Sequence, residues 1–146
     1  MAAIHDVMPV FQLYQPESVD DALGLLDRFG ARAWTMAGGL DTFDWLKDRI
    51  KRTEAVVELS GVAGLSGIKE VNGGLEIGAT TTLTEVANHA IVKQRFGVLA
   101  QAAGLVASPQ IRHQGTLGGN VSQDTRCWYY RSGWPCYRAE IGRAHV

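Results

Sequence analysis

Polar and apolar residues alternate through Phe11-Gln12-Leu13-Tyr14, the two-residue period of a β-strand, before the period changes. Val19, Ala22, Leu23, Leu25, Leu26 and Phe29 recur at helical spacing behind Pro16-Glu17-Ser18, with Ser18 as N-cap, Asp20 and Asp21 in the first turn and Gly30 as the stop. The apolar face of that helix is expected to pack on two further strands, Ala33 to Ala37 and Ala55 to Leu59. Between them Phe43, Leu46 and Ile50 form an apolar stripe, while Asp44, Lys47, Asp48, Arg49 and Lys51 face solvent. The pattern is therefore βαβαβ. After Ser60-Gly61 the glycine content rises, and Ile68 to Val71, Asn72-Gly73-Gly74 and Leu75 to Gly78 read as a hairpin with an Asn-Gly turn. Two helical stretches follow, Leu83 to His89 and Phe96 to Val106, so a subdomain boundary is expected near Gly61.

The chain has 146 residues, 46% hydrophobic and 20% charged, as in a folded globular protein with one ordinary core or two small ones. Its 14 basic and 15 acidic residues are interspersed, which argues against nucleic acid or an anionic membrane surface as partner. No run is apolar for long enough to span a bilayer, and the first residues lack the basic start and apolar core of a signal peptide, so the cytoplasm is the expected location. Two cysteines do not make a disulfide framework. The four histidines have no metal-ligand spacing among themselves, and Asp44 and Asp48 are read as a solvated helix face, not as paired catalytic carboxylates.

Candidate chemistry lies in two glycine segments. Ala37-Gly38-Gly39-Leu40-Asp41-Thr42 joins a strand to a helix, and its amides fall at the helix N-terminus, where negative charge is favoured. Gly115-Thr116-Leu117-Gly118-Gly119-Asn120 follows the apolar stretch that ends near Val106, and its glycines allow consecutive amides to converge on an anion. Two such cradles suit a diphosphate; the competing reading is that the glycines serve tight turns alone. Thr116 and Asn120 are placed either to contact phosphate oxygens or to cap the next turn, and Asp41 either to bind a ribose hydroxyl or to complement the helix dipole. Arg112 is placed either to neutralise a phosphate or, the preferred reading, to pair with a surface carboxylate. Neither G-x-G-x-x-G nor G-x-x-x-x-G-K-[ST] occurs, which sets aside dinucleotide-binding and P-loop folds.

Four segments in order, Ala37 to Asp41, Gly78-Ala79-Thr80-Thr81-Thr82-Leu83, Ala107-Ser108-Pro109-Gln110-Ile111-Arg112 and Gly115 to Asn120, resemble the FAD-binding subunit of the molybdenum hydroxylases, the xanthine dehydrogenase family. The likeness runs from about Phe11 to Cys136, and Leu40 departs from it where the family has a small polar residue. The resemblance implies an α+β, PCMH-type FAD-binding fold, with subdomains over 1–60 and 61–139, the second incomplete. It implies FAD as cofactor, held by Ala37, Gly38, Gly39, Leu40, Asp41, Thr42, Thr81, Gly115, Thr116, Gly118, Gly119 and Asn120. It also implies two partners, a molybdopterin-binding large subunit and a [2Fe–2S] small subunit. Arg126-Cys127-Trp128-Tyr129-Tyr130-Arg131 and Pro135-Cys136-Tyr137 look like the cysteine-bearing insertion of the 4-hydroxybenzoyl-CoA reductase and aldehyde oxidoreductase branches, so Cys127 and Cys136 are candidate [4Fe–4S] ligands. Residues 140–146 match a reading frame of a common DNA-sequencing adapter and are expected to be a non-native tail. The expected function is that of an electron-transfer flavoprotein subunit. The alternatives are a cofactor-free interaction module of the same fold and a stand-alone FAD oxidoreductase.

Overall fold

The computed structural model describes residues 8–132 and residue 134. Cys136 and the 140–146 segment lie outside the described residues.

Strands β1 (Gln12–Tyr14), β2 (Ala33–Met36) and β3 (Ala55–Glu58) form a parallel sheet in the order β1-β3-β2, with Leu13 and Trp34 both in register with Val56. Ala55, Val56 and Val57 are fully buried because β3 is the middle strand. Helix α1 (Val19–Phe29) starts as expected, the Ser18 side chain accepting from the Asp21 N–H, and ends at Gly30, whose φ of 52° is open to glycine. A 3₁₀ turn, Gly30–Arg32, leads into β2. The apolar face of α1 is only partly used. Ala22 is buried, but Leu23 is 53% exposed, since it sits about 100° around the helix from Ala22 and overhangs a narrow sheet.

Helix α2 (Leu40–Lys47) corrects the expected stripe: it buries Thr42, Trp45 and Leu46, whereas Phe43 is 40% exposed. Trp45, 1% exposed, is covered by residues far along the chain, with the Arg131 guanidinium 4.4 Å over its ring and Tyr130 edge-on at 6.2 Å.

The second half has its own sheet and core. Strands β4 (Ile68–Val71) and β5 (Gly74–Ile77) pair antiparallel around Asn72 and Gly73, whose φ angles of 50° and 78° fit a two-residue hairpin turn. Ile68, Leu75 and Ile77 pack on a cluster of Leu83, Val86, Val92, Ala100 and Ala103. Three helices, α3 (Leu83–Asn88), α4 (Ala90–Arg95) and α5 (Gly97–Leu105), carry that cluster: α3 and α5 are the two expected stretches, and α4, which buries Val92, fills the interval between them. Thr82 and Glu85 close a capping box at the start of α3, and the Thr82 hydroxyl, then the Thr82 N–H, hold the Glu85 carboxyl below the usual glutamate range. The second glycine segment is also more helical than expected, with α6 (Pro109–Gln114) before it and the single turn α7 (Leu117–Val121) within it. A final turn, α8 (Trp128–Arg131), lies against α2.

Candidate functional site

The first glycine segment turns the chain from β2 into α2. Gly39 is the N-cap of α2 in the left-handed region, φ 77°, where a side chain would also meet the Phe43 ring. An α-helix provides no acceptor for its first N–H groups, and those of Leu40, Asp41 and Thr42 bond to none among the described residues. The Thr42 hydroxyl is already used, accepting from the Trp34 indole N–H at 3.2 Å and so fixing α2 against β2. Leu40 contributes backbone here and sets its side chain near Gly115.

The two glycine segments touch. A Cβ on Gly38 would lie 2.1 Å from the Gln114 carbonyl oxygen and 3.3 Å from the Gly115 Cα, and the Gln114 side-chain amide donates to the Gly38 carbonyl at 3.2 Å. Only glycine permits that approach. From behind, the Gly78 to Leu83 segment is laced to Gly115 to Gly118: Leu83 N–H donates to Gly115 O, Leu117 N–H to Thr81 O and Gly118 N–H to Ala79 O, all within 2.8–2.9 Å. The second of the four family-like segments thus supports the second glycine segment.

These bonds change the expected chemistry of Gly115 to Asn120. The amides of Leu117 and Gly118 are committed to Thr81 and Ala79, that of Gly119 to the Thr116 hydroxyl oxygen at 3.2 Å, and that of Asn120 to the Thr116 carbonyl at 2.9 Å. Thr116 is therefore a cap. Free backbone donors come from the start of α2, while the second segment supplies a close, Cβ-free wall with the Asn120 side chain upon it.

Both segments line one cleft of about 670 Å³, a size usual for ligand pockets. Ala37, Gly38, Gly39, Leu40, Asp41, Thr42, Gly115, Thr116, Gly118, Gly119 and Asn120 all border it. Thr81 does not. It is 1% exposed, and its hydroxyl accepts from the Gly67 N–H at 2.9 Å and donates to the Gly67 carbonyl at 3.1 Å, so its place is structural. Thr80 borders the cleft instead, a neighbour the same threonine run offered but did not distinguish. Also missed were Gln123 and Asp124, which no motif marks, and Arg126, quoted only as the start of the cysteine-bearing segment. Asp41 faces arginines, forming an ion pair with Arg126 and lying 3.7 Å from Arg131. Contrary to the expected surface pair, Arg112 meets no carboxylate among the described residues; it donates to the Val106 and Ala107 carbonyls at 2.8 and 3.1 Å, closing the end of α5. Cys127 is an exposed free thiol, and no group of three or more His, Cys, Asp or Glu suited to a metal occurs among the described residues. No helix among them is long and apolar enough to cross a membrane.

Residues 9–136 match the family described as the FAD binding domain in molybdopterin dehydrogenase. The carbon monoxide dehydrogenase medium chain of Hydrogenophaga pseudoflava is 34% identical over 116 residues, 80% of this chain and 40% of that one. The aldehyde oxidoreductase FAD-binding subunit of Escherichia coli (strain K12) is 37% identical, over 69% of this chain and 32% of that one. A solved structure of carbon monoxide dehydrogenase from Hydrogenophaga pseudoflava superposes with a TM-score of 0.76 at 35% identity, covering 79% of this chain and 40% of that chain. The chain thus spans roughly two fifths of the length of such relatives, with the mixed α+β fold expected. With the match covering most of its residues, the chain belongs to the family of FAD-binding domains of the molybdopterin dehydrogenases.

Proposed function

We propose that this chain is part of an FAD-binding electron-transfer subunit in a molybdenum-containing hydroxylase or dehydrogenase. The observation that carries the reading is the cleft itself: α2 presents the unpaired amides of Leu40, Asp41 and Thr42 to the space walled by Gly118 and Gly119. Those residues fit a diphosphate, because main-chain N–H groups at a helix N-terminus attract negative charge and the absence of side chains allows close approach. Gly38 fixes the separation of the two walls, and Thr42 fixes the tilt of α2 through Trp34. The flavin, when bound, supplies the redox chemistry; this chain binds and orients it. A molybdopterin-binding large subunit and a [2Fe–2S] small subunit are the proposed partners, with electrons passing between their centres and an external acceptor.

Titration of the purified chain with FAD, followed by the visible flavin spectrum, tests the reading, with circular dichroism on the same sample to establish folding. Saturable binding is the expected result. A folded chain that leaves the flavin spectrum unchanged refutes the proposal that the main determinants of the site lie within these residues.

A further inference from the structure

Beyond α7 the chain turns back across α2, and this return segment, Ser122 to Arg131, forms a further wall of the cleft through Ser122, Gln123, Asp124 and Arg126. It is not covalently constrained there, and its position depends on side-chain contacts with α2. Arg126 pairs with Asp41. Asp124 accepts from the Tyr130 hydroxyl at 3.0 Å and lies 3.8 Å from the Lys51 ammonium. Tyr130 and Arg131 both rest on the Trp45 ring.

Arg131 is the informative member. Its side chain is 16% exposed, and its Nε and Nη2 have no hydrogen-bond partner among the described residues. Two features compensate the charge, the Trp45 ring at 4.4 Å and the Asp41 carboxylate at 3.7 Å. A cation so placed depends on its counter-charge, because a buried group left unpaired is far less favourable than a solvated one. Asp41, in turn, has both guanidiniums at one carboxylate oxygen, Oδ1.

We infer that Asp41, paired with Arg126 and facing Arg131, forms an electrostatic latch that holds the return segment against α2 and closes that wall over a ligand in the cleft. The Asp41 carboxylate then has a positioning role, acting on the ligand through the wall, apart from the main-chain N–H of the same residue. Arg131 does not itself border the cleft, so an effect of Arg131 on retention has to travel by the same route. The inference that the latch governs flavin retention rests on the flavin reading above, whereas the latch itself does not.

Two measurements separate them. In the apo chain, tryptic cleavage after Arg126, normalised to cleavage after the exposed Arg52, is expected to rise several-fold in Asp41→Asn with the circular dichroism spectrum unchanged. In the loaded chain, Asp41→Asn is expected to speed FAD release about tenfold and Arg131→Gln by less, and the double variant no further than Asp41→Asn alone, because Arg131 acts through Asp41. Arg131→Lys, which keeps the charge, is expected to restore part of the retention. If Asp41→Asn does not fold, the unaltered chain serves: raising salt from about 50 mM to about 500 mM shortens the reach of the Arg126 and Asp41 charges and should increase normalised cleavage after Arg126. An unchanged cleavage ratio overturns the latch, as do multiplicative effects on release in the double variant. Loosened cleavage in a chain that binds no FAD sustains the latch and refutes the flavin reading; tight flavin with unchanged cleavage and release does the reverse.

Discussion

Gly38→Ala tests whether the contact between the glycine segments shapes the cleft. The added methyl carbon would lie 2.1 Å from the Gln114 carbonyl oxygen, 3.0 Å from its carbon and 3.3 Å from the Gly115 Cα. Carbon–oxygen contacts begin near about 3.3 Å, so the carbonyl would have to retreat by roughly 1 Å, and being backbone it has no rotamer to turn. Overpacking of this kind costs about 1–3 kcal/mol, and loss of the bond from Gln114 to Gly38 adds about 0.5–1.5 kcal/mol. The same movement separates the α2 amides from the Gly118 wall. Loss of one hydrogen bond to a charged phosphate is about 1.5–3 kcal/mol, hence a rise in the FAD Kd of about 10- to 100-fold. Flavin titration and thermal melts on the same samples give both quantities. The control is Gly24→Ala, in α1, where a Cβ meets nothing within 4 Å and a gain of about 0.5–1 kcal/mol is expected. A Gly38→Ala chain that melts and binds FAD like the unaltered one refutes the reasoning.

Thr81→Val preserves shape but strips the hydroxyl from the Gly67 N–H and carbonyl, and should cost about 1–3 kcal/mol in a urea unfolding curve. A fully folded variant that has lost FAD binding would return Thr81 to the cofactor site. Thr82→Ala removes the α3 cap and should cost about 0.5–2 kcal/mol by the same curve; no loss would mean the capping box adds nothing. Glu85 gives that cap a pH signature. Its folded pKa is lowered, so its contribution is present above the ordinary glutamate value, about 4.3, and disappears as pH falls through the lower folded value. The stability gap between the unaltered chain and Glu85→Gln should close as pH falls below that ordinary value, and a gap that persists at the acid end of the folded range contradicts it.

What could be read beforehand was local. Ser18 as a cap, Gly30 as a stop and Asn72-Gly73 as a turn follow from backbone preferences that act within a few residues, and each is found where expected. The α2 stripe held at Leu46 but failed at Phe43, because the burial of Trp45 in its place depends on Tyr130 and Arg131, which arrive from elsewhere in the chain. Glycine pairs signalled the cleft, but not which amides remain free, since the acceptors for Leu117 and Gly118 belong to a separate segment. Likewise, nothing near Gly38 shows that its missing Cβ makes room for Gln114.

The strand order carries a consequence for how the molecule comes into being. The strands made first, β1 and β2, are not neighbours; each waits for β3, the last of the sheet to leave the ribosome. The bond between Gln114 and Gly38 then bridges 76 positions of sequence. Closing so long a loop is entropically slow unless both ends are already ordered. A nascent chain therefore has a start to α2 well before it has a cleft, and cofactor capture belongs at the end of folding, after the second glycine segment has been synthesised and set against Gly38.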